Sequence, residues 1–213
     1  MSYNQSTLKE YAKKQEEIAS RVIRQDVFSN LKLVCGLDIA YTKNKSVAAA
    51  VTLDLETLSH IESKCVSTQI YAPYIPSYLG LREVPPMIQA FNQLDNKPDI
   101  LMVDSNGILH PRRAGAASHL GVTLDIPTIG VAKKLLLGHP RHDPKYDFET
   151  IQDRGEIIGA QLNRRGKASL IVSIGHKITL ETAVKITRQL IKSHRQPEPI
   201  FQAHKLANSV KQE

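Results

Sequence analysis

The sequence predicts an α/β fold in which one mixed sheet, an antiparallel meander of three strands extended by parallel strands, is flanked by helices. Three strand-like apolar patterns follow one another early in the chain, joined by the short segments TKNK and ETLSH, and connections of that length are typical of hairpins. After them, helical and strand patterns alternate, which favours parallel strands covered by helices. The 213 residues show no linker-like change of composition, so we expect a single domain over 1–213.

The overall composition restricts the classes of function. A formal net charge of +7 favours a polyanionic partner such as nucleic acid. The two cysteines, Cys35 and Cys65, lie in apolar strand patterns and indicate small buried side chains of a reducing compartment, with a disulfide between them left open. No apolar run approaches the length of a membrane span, and the N-terminal residues lack the apolar core of a signal peptide. We therefore expect a cytoplasmic protein that makes no contact with a membrane.

The first elements along the chain are a helix and the meander. Thr7 and Glu10 have the spacing of a capping box, and apolar residues return to one face as far as residue 24, which predicts a helix over 7–24. The apolar patterns that follow predict strands over 32–40, 47–55 and 61–70.

The rest of the chain alternates between helices and strands. A helix is expected from Val84 onward, with Pro85 and Pro86 in its first turn, where proline is tolerated. The remaining patterns predict, in order, a strand over 100–103, a small-residue helix over 114–121, a strand over 126–131, a loop over 138–148, a hairpin of strands 156–162 and 168–174 around NRRGK, a helix over 180–193 and one short helical turn near the C-terminus.

Charged side chains follow the strand ends in the middle of the chain. Asp104 comes directly after the strand 100–103, Lys133 follows the strand 126–131, and Asp38 lies inside the apolar pattern of the first strand. Because the carboxyl ends of parallel strands meet at one edge of a sheet, we expect Asp104 and Lys133 to lie side by side. A buried aspartate such as Asp38 needs a partner or a metal, and Mg²⁺ prefers oxygen ligands. The alternatives are a turn-capping Asp38 and a solvated Lys133. The order of elements is that of the ribonuclease H-like fold, in which two strands each carry a metal-binding carboxylate.

Five ordered blocks carry a resemblance to a known family. They are PYIPSYLGLRE (73–83), VDSNGILHPRRAGAASHLG (103–121), IPTIGVAKK (126–134), SIGHKIT (173–179) and RQPEP (195–199), preceded by GLDIAY (36–41). Together they resemble the endonuclease V family. The resemblance implies a ribonuclease H-like fold and a requirement for Mg²⁺, with Mn²⁺ as a substitute and no small-molecule cofactor. It also implies hydrolysis of the second phosphodiester bond 3′ to a deaminated base, chiefly inosine, in DNA or RNA. The products are a 3′-hydroxyl and a 5′-phosphate. We expect a monomer that acts in DNA repair or on inosine-containing RNA.

The resemblance implies catalytic roles for five residues. Asp38 and Asp104 match metal-binding aspartates, and Glu83 matches a third acidic position, although it also fits an N-terminal helix residue favoured by the dipole. His110 would contact the attacking water or the scissile phosphate, with an ordinary loop histidine as the alternative. Lys133 would stabilise negative charge that grows on the phosphate.

A second set of residues would handle the nucleic acid. Pro73 and Pro76 bracket Tyr74 and Ile75 and make the segment extended and stiff. Tyr74 and Ile75 fit either core packing or a wedge against an opened base step, and the resemblance implies the wedge.

The expected phosphate anchors are Arg82, Arg112 and Arg113, with plain solvated charges as the alternative. Backbone groups at Ser105, Gly107 and Gly130 would line a pocket for the displaced base. This chain departs from the family at Ser77 and Ser105, where the family has glycine, and an added side chain there would narrow the pocket or alter the loop geometry.

The remaining histidines and the rival functions complete these expectations. His119, His176 and His204 are given no role, because a satisfied structural histidine is commoner than a ligand. The rivals are another ribonuclease H-like nuclease, such as a resolvase or an RNA–DNA hybrid nuclease, and a non-catalytic nucleic-acid-binding module. Cleavage of inosine substrates, four-way junctions and hybrids would separate them.

Overall fold

The computed structural model describes residues 5–70, 72–164 and 167–211. Its elements, in chain order, are α1 (Gln5–Arg21), β1 (Leu33–Tyr41), β2 (Lys45–Asp54), β3 (His60–Gln69), α2 (Leu79–Asn92), β4 (Ile100–Val103), α3 (Ala116–Leu124), β5 (Thr128–Ala132), β6 (His139–Arg141), β7 (Glu149–Asp153), β8 (Glu156–Arg164), β9 (Lys167–His176), α4 (Leu180–Leu190) and α5 (Glu198–Val210). Within these ranges, no helix is both long enough and apolar enough to cross a membrane.

All strands join one mixed sheet in the order β3-β2-β1-β4-β5-β9-β8-β7-β6. The meander of β1 to β3 is antiparallel, β1 pairs in parallel with β4, and β4 pairs in parallel with β5. On the other side of β5, the pairs from β9 to β6 are antiparallel. The predicted mixed sheet, with its meander followed by parallel strands, is therefore confirmed.

The two faces of the sheet pack against different helices. On one face, side chains such as Val34 and Met102 pack with residues of α4 and α5. On the other, Cys35, Leu37 and Leu101 pack with residues of α2 and α3. Because neighbouring strand residues point to opposite faces, Asp38 lies on the same side as Val34, which is the face that α5 covers.

Helix α5 approaches β1 at a glycine. A Cβ atom on Gly36 would lie 2.1 Å from the carbonyl oxygen of Pro199, so only glycine permits this contact. The C-terminal helix therefore lies directly against the strand that carries Asp38.

Helix α2 begins earlier than predicted. It starts at Leu79, five residues before Val84, so Pro85 and Pro86 lie inside the helix rather than in its first turn. Each proline removes one backbone N–H donor, which ordinarily ends or kinks a helix. Burial of Val84, Met87 and other side chains of this face against the sheet outweighs that loss.

Two further expectations about secondary structure are wrong. The stretch 138–148 contains strand β6, which pairs with β7, a strand that was not predicted. All three residues of β6 are exposed, so no apolar pattern marks it. The expected single terminal turn is the 13-residue helix α5, with Ile200, Ala203 and Ala207 buried at helical spacing. The tip of the NRRGK turn lies partly outside the described residues.

Candidate active site

Strand register brings the two predicted aspartates together. Leu37 of β1 pairs with Val103 of β4, so the next residue on each strand, Asp38 and Asp104, reaches the same edge of the sheet. The backbone N–H of Asp104 donates to the carbonyl oxygen of Leu37 at 3.1 Å, which extends the ladder by one bond. Lys133 follows β5 and places its Nζ 2.7 Å from Oδ2 of Asp104. Asp104 and Lys133 therefore lie side by side, at the edge where the sequence predicts them.

A histidine from the C-terminal helix completes an acidic cluster. The Nδ1 atom of His204, on α5, lies 2.6 Å from Oδ2 of Asp38. Asp38, Asp104 and His204 each offer one ligand atom, and these atoms all lie within 4.8 Å of one another. His204, for which the sequence indicates no role, therefore belongs to a set of side chains that could hold a metal ion.

The electrostatics of this cluster fit a divalent cation. Burial, together with the nearby charge of Asp104, raises the pKa of the Asp38 carboxyl to about 6. The hydrogen bond with His204 lowers this pKa but does not offset the increase. Burial, with a further contribution from Asp38 and Asp104, raises the pKa of Glu83 to about 8. Carboxylates that repel one another in a desolvated site gain the most from a bound cation. Oxygen and imidazole ligands both suit first-row divalent ions, and carboxylates suit Mg²⁺.

Glu83 lies beside the cluster but outside the three-residue ligand set. Helix α2 buries its side chain, and the hydroxyl of Tyr41 donates to its Oε1 at 3.0 Å. The guanidinium of Arg82 lies 3.8 Å from the centroid of the Tyr41 ring. Arg82 therefore stacks on the aromatic residue that supports Glu83.

Gln196 is a further residue of the site that the sequence did not reveal. Its buried side chain donates from Nε2 to Oδ2 of Asp104 at 2.9 Å. The same oxygen accepts from Lys133, so two donors fix the orientation of one carboxylate. The residue belongs to the RQPEP block just before α5, but a glutamine in a proline-rich segment carries no chemical signal of its own.

His110 is not among the three possible metal ligands and is held by backbone groups. The backbone N–H of Arg112 donates to its Nδ1 at 3.2 Å, so Nε2 carries the proton and donates to the carbonyl oxygen of Ser77 at 3.0 Å. Burial lowers the pKa of His110 to about 4, so the ring is neutral at pH 7. Both ring nitrogens are therefore engaged within the protein.

Arg112 is likewise bound within the protein. Its Nε donates to Oε1 of Gln15 at 2.7 Å, and its Nη2 donates to the carbonyl oxygen of Ser77 at 3.0 Å. The guanidinium also lies 4.4 Å from the centroid of the Tyr78 ring. The expected phosphate anchor thus makes several contacts that hold the loop around Ser77.

A cavity of about 530 Å³ opens beside the acidic edge. Asp104 and Lys133 lie on one side of it, and Ser105, Ser77 and Tyr74 are also among its lining residues. Tyr74 is 67% exposed, and the flanking Pro73 and Pro76 are exposed while Ile75 is half-buried. Core packing is therefore excluded for Tyr74, whose ring is presented to solvent at the rim of this cavity.

The glycines of the expected base pocket are explained by backbone packing. A Cβ atom on Gly107 would lie 1.9 Å from the carbonyl oxygen of Ile174, and one on Gly130 would lie 2.6 Å from the backbone nitrogen of Gly107. The N–H of Gly107 donates to Oγ of Ser173, and the N–H of Ser105 donates to the carbonyl of Val103. These two donors are engaged within the protein.

The two departures from the family pattern differ in their conformation. Ser77 has a φ of 61°, in the left-handed region, whereas Ser105 is not among the residues with positive φ. A serine at Ser77 therefore carries the backbone strain that glycine would avoid.

Carboxylates gathered beside a lysine at the strand ends of a ribonuclease H-like sheet define a class of nucleases. Within that class, the family model for endonuclease V matches residues 16–205. The chain therefore belongs to the endonuclease V family, and it is a phosphodiester hydrolase of the DNA-repair type.

Relatives of known sequence cover most of the chain. Endonuclease V of Dictyoglomus thermophilum is 40% identical over 193 residues, which are 89% of this chain and 85% of the relative. Endonuclease V of Trichormus variabilis is 41% identical over 209 residues, which are 95% of each chain.

Solved structures agree with the fold. Endonuclease V of Streptomyces avermitilis superposes with a TM-score of 0.87 at 32% identity, over 96% of this chain and 93% of that one. The Ciona intestinalis enzyme, in complex with a 24mer DNA containing an inosine followed by a ribo-adenosine, superposes with a TM-score of 0.88 at 30% identity, over 98% of this chain and 99% of that one.

Proposed function

We propose that this chain recognises deaminated bases, chiefly inosine, and hydrolyses the second phosphodiester bond 3′ to them, leaving a 3′-hydroxyl and a 5′-phosphate. The observation that carries the proposal is the convergence of Asp38, Asp104 and His204 within 4.8 Å beside an open cavity. Inosine as the target is supported by the DNA complex of the Ciona intestinalis relative.

Asp38, Asp104 and His204 would hold Mg²⁺, with Mn²⁺ as a substitute. Glu83, whose charge interacts with those of Asp38 and Asp104, would assist or hold a second ion. When bound, the ion supplies positive charge that polarises the scissile phosphate. Two carboxylates match the hard character of Mg²⁺, while the imidazole of His204 is a ligand that Mn²⁺ tolerates better.

The side chains around Asp104 would orient its carboxylate and stabilise charge on the substrate. Gln196 and Lys133 both donate to Oδ2 of Asp104, which leaves its other oxygen available as a ligand. The ammonium group of Lys133 is partly exposed and faces the cavity, where it would stabilise charge that develops on the phosphate.

The rim of the cavity would open the nucleic acid and receive the base. The exposed ring of Tyr74, in its frame of Pro73 and Pro76, suits a wedge between base steps. A base turned out of the stack would enter the cavity next to Ser105. Arg82, which stacks on Tyr41, would contact phosphates, whereas Arg112 and His110 would support the rim through the carbonyl of Ser77.

The test is a cleavage assay on matched oligonucleotides of single- and double-stranded DNA and RNA, each with one inosine, in Mg²⁺. We expect cleavage one nucleotide beyond the inosine and none in the strand without it. Asp104→Ala should abolish cleavage and preserve metal-independent binding, while the exposed Asp125→Asn serves as the matched control. Full activity of the Asp104→Ala variant would overturn the assignment.

Two further substrates address the rival nucleases of this fold. A four-way junction and an RNA–DNA hybrid without inosine are added to the same assay. Preferential cleavage of either one over the inosine strands would contradict the proposed substrate and favour a resolvase or a hybrid nuclease.

A further inference from the structure

Helix α1 buries a glutamine at a position where its pattern calls for an apolar side chain. Tyr11, Gln15 and Ile18 form the buried stripe of this helix, and Gln15 is only 1% exposed. A buried amide costs free energy unless its hydrogen bonds are made. The hydrogen-bond partners of Gln15 therefore indicate its role.

All three hydrogen-bonding functions of the Gln15 amide are engaged at the rim of the cavity. Nε2 donates to the carbonyl oxygens of Ser77 and Ala114, at 3.1 and 3.3 Å, and Oε1 accepts from Nε of Arg112 at 2.7 Å. Turning the amide over would bring its N–H groups against the guanidinium and its oxygen against two carbonyls. The orientation is therefore fixed by its partners.

These contacts converge on the strained residue of the rim. The carbonyl oxygen of Ser77 accepts from Gln15, from Nε2 of His110 and from Nη2 of Arg112. Ser77 has a φ of 61°, a conformation that a non-glycine residue keeps only when its surroundings hold it there. The three donors supply that restraint.

Ser77 links two parts of the site. On its N-terminal side lies the exposed Tyr74, and on its C-terminal side Tyr78 precedes α2, the helix that carries Glu83. A change in the backbone of Ser77 would therefore move the rim of the cavity relative to the acidic edge.

We propose that Gln15 is a positioning residue for substrate binding, which acts through the carbonyl of Ser77 and the guanidinium of Arg112 to hold the Tyr74–Ser77 rim in its binding conformation. This inference rests on the proposed cleavage of inosine-containing nucleic acid. Gln15 touches neither the acidic cluster nor the reacting atoms, so its removal should weaken binding more than it slows the chemical step.

The experiment is single-turnover cleavage of an inosine-containing DNA strand with the enzyme in excess. The dependence of the rate on enzyme concentration gives the half-saturating concentration and the maximal rate separately. For Gln15→Met, which keeps the volume but loses every hydrogen bond, we expect the half-saturating concentration to rise about tenfold while the maximal rate stays within about threefold. Gln15→Glu should raise the half-saturating concentration similarly. It keeps an acceptor for Arg112, but it replaces the N–H groups that donate to the carbonyls of Ser77 and Ala114 by an oxygen that cannot donate.

Two comparisons separate positioning from general support of the fold. Ile18→Ala loosens the same buried stripe of α1, including its packing with Ala114, but removes none of the three hydrogen bonds of Gln15. It should lower Tm while changing half-saturation by less than about twofold. In the Ser77→Gly background, Gln15→Met should change half-saturation by less than about threefold, because glycine adopts the left-handed conformation unaided.

Three outcomes overturn the inference while leaving the proposed function intact. They are unchanged half-saturation in both Gln15 variants, an equal change in Ile18→Ala, and an undiminished effect in the Ser77→Gly background. If Gln15→Met does not fold, Gln15→Glu decides by the same criteria. Failure of the unaltered protein to cleave the inosine strand contradicts the proposed function itself.

Discussion

Carboxylates at two places in the molecule, the active-site edge and strand β3, lie in opposite electrostatic surroundings. At the active-site edge, burial and mutual repulsion raise the pKa of Asp38 to about 6 and that of Glu83 to about 8. On β3, backbone N–H groups of Asp95 and Asn96 donate to Glu62, and they are the main reason that its pKa falls to about 2.

This difference in pKa distinguishes a carboxylate that stabilises the fold from carboxylates that serve the active site. Glu62 is surrounded by donors, including Lys64 at 3.1 Å, so its charge is satisfied in the folded state. Asp38 and Glu83 each have one hydrogen-bond partner, His204 and Tyr41, but they also face other acids, so their ionised forms gain most when a cation joins them. Sites of this kind commonly reduce stability in return for function.

The largest expected effect comes from removing one carboxylate of the acidic edge. Asp38→Asn should lower the cleavage rate on an inosine-containing strand by at least about 10³-fold, because the site loses a charged metal ligand. Single-turnover rates in Mg²⁺ measure this, with Asp54→Asn, at the other end of the meander, as the control. A loss smaller than about tenfold would place the reaction elsewhere.

The next effect concerns the affinity for divalent ions. His204→Ala should weaken the apparent affinity for metal about 10- to 100-fold, and the loss should be larger for Mn²⁺ than for Mg²⁺, since imidazole suits Mn²⁺ better. Thermal unfolding at increasing metal concentration gives both affinities, because a ligand at 100 times its Kd stabilises by about 2.7 kcal/mol. Equal metal-induced shifts of Tm in the variant and the unaltered protein would exclude His204 from the ligand set.

A third effect distinguishes the two groups of carboxylates by pH. Glu83 has a folded-state pKa of about 8, above its usual 4.5, so the folded protein binds more protons and loses stability as pH rises through this window. Without divalent ions, Glu83→Gln should therefore be more stable than the unaltered protein, by on the order of 2 kcal/mol at pH 8 and by less at pH 5. Urea unfolding at both pH values measures the difference; a gap that is the same at pH 5 and pH 8 would show that Glu83 is ionised throughout.

The sequence predicts the parts of this site that lie on strands. Asp104 and Lys133 follow strands whose apolar patterns are plain, and the rule that carboxyl ends of parallel strands share an edge brings them together. Predicting the position of Asp38 requires in addition the parallel pairing of β1 with β4, which follows from the predicted order of elements.

The parts of the site that depend on helix packing cannot be predicted from the sequence. His204 reaches Asp38 only because α5 lies against Gly36, a contact between distant segments that no local pattern encodes. The apolar spacing of Ile200, Ala203 and Ala207 is helical, although we predict only one terminal turn from the sequence. His110 fits a catalytic histidine by its motif, but its ring nitrogens are engaged by Arg112 and Ser77, which only tertiary structure reveals.

The smallest expected effect concerns the satisfied carboxylate. Glu62→Gln keeps the shape of the side chain but weakens the charge-assisted hydrogen bonds from Asp95 and Asn96, so Tm should fall by about 2–4 °C. The pKa of about 2 lies below the usual 4.5, so the stability that Glu62 supplies is complete above pH 4.5 and is lost as pH falls toward 2. The Tm difference between the two proteins should therefore shrink in acid. Cleavage of the inosine strand should stay within about twofold, since Glu62 lies on β3, away from the acidic edge. A large loss of activity with an unchanged Tm would reverse the assignment of the two carboxylate groups.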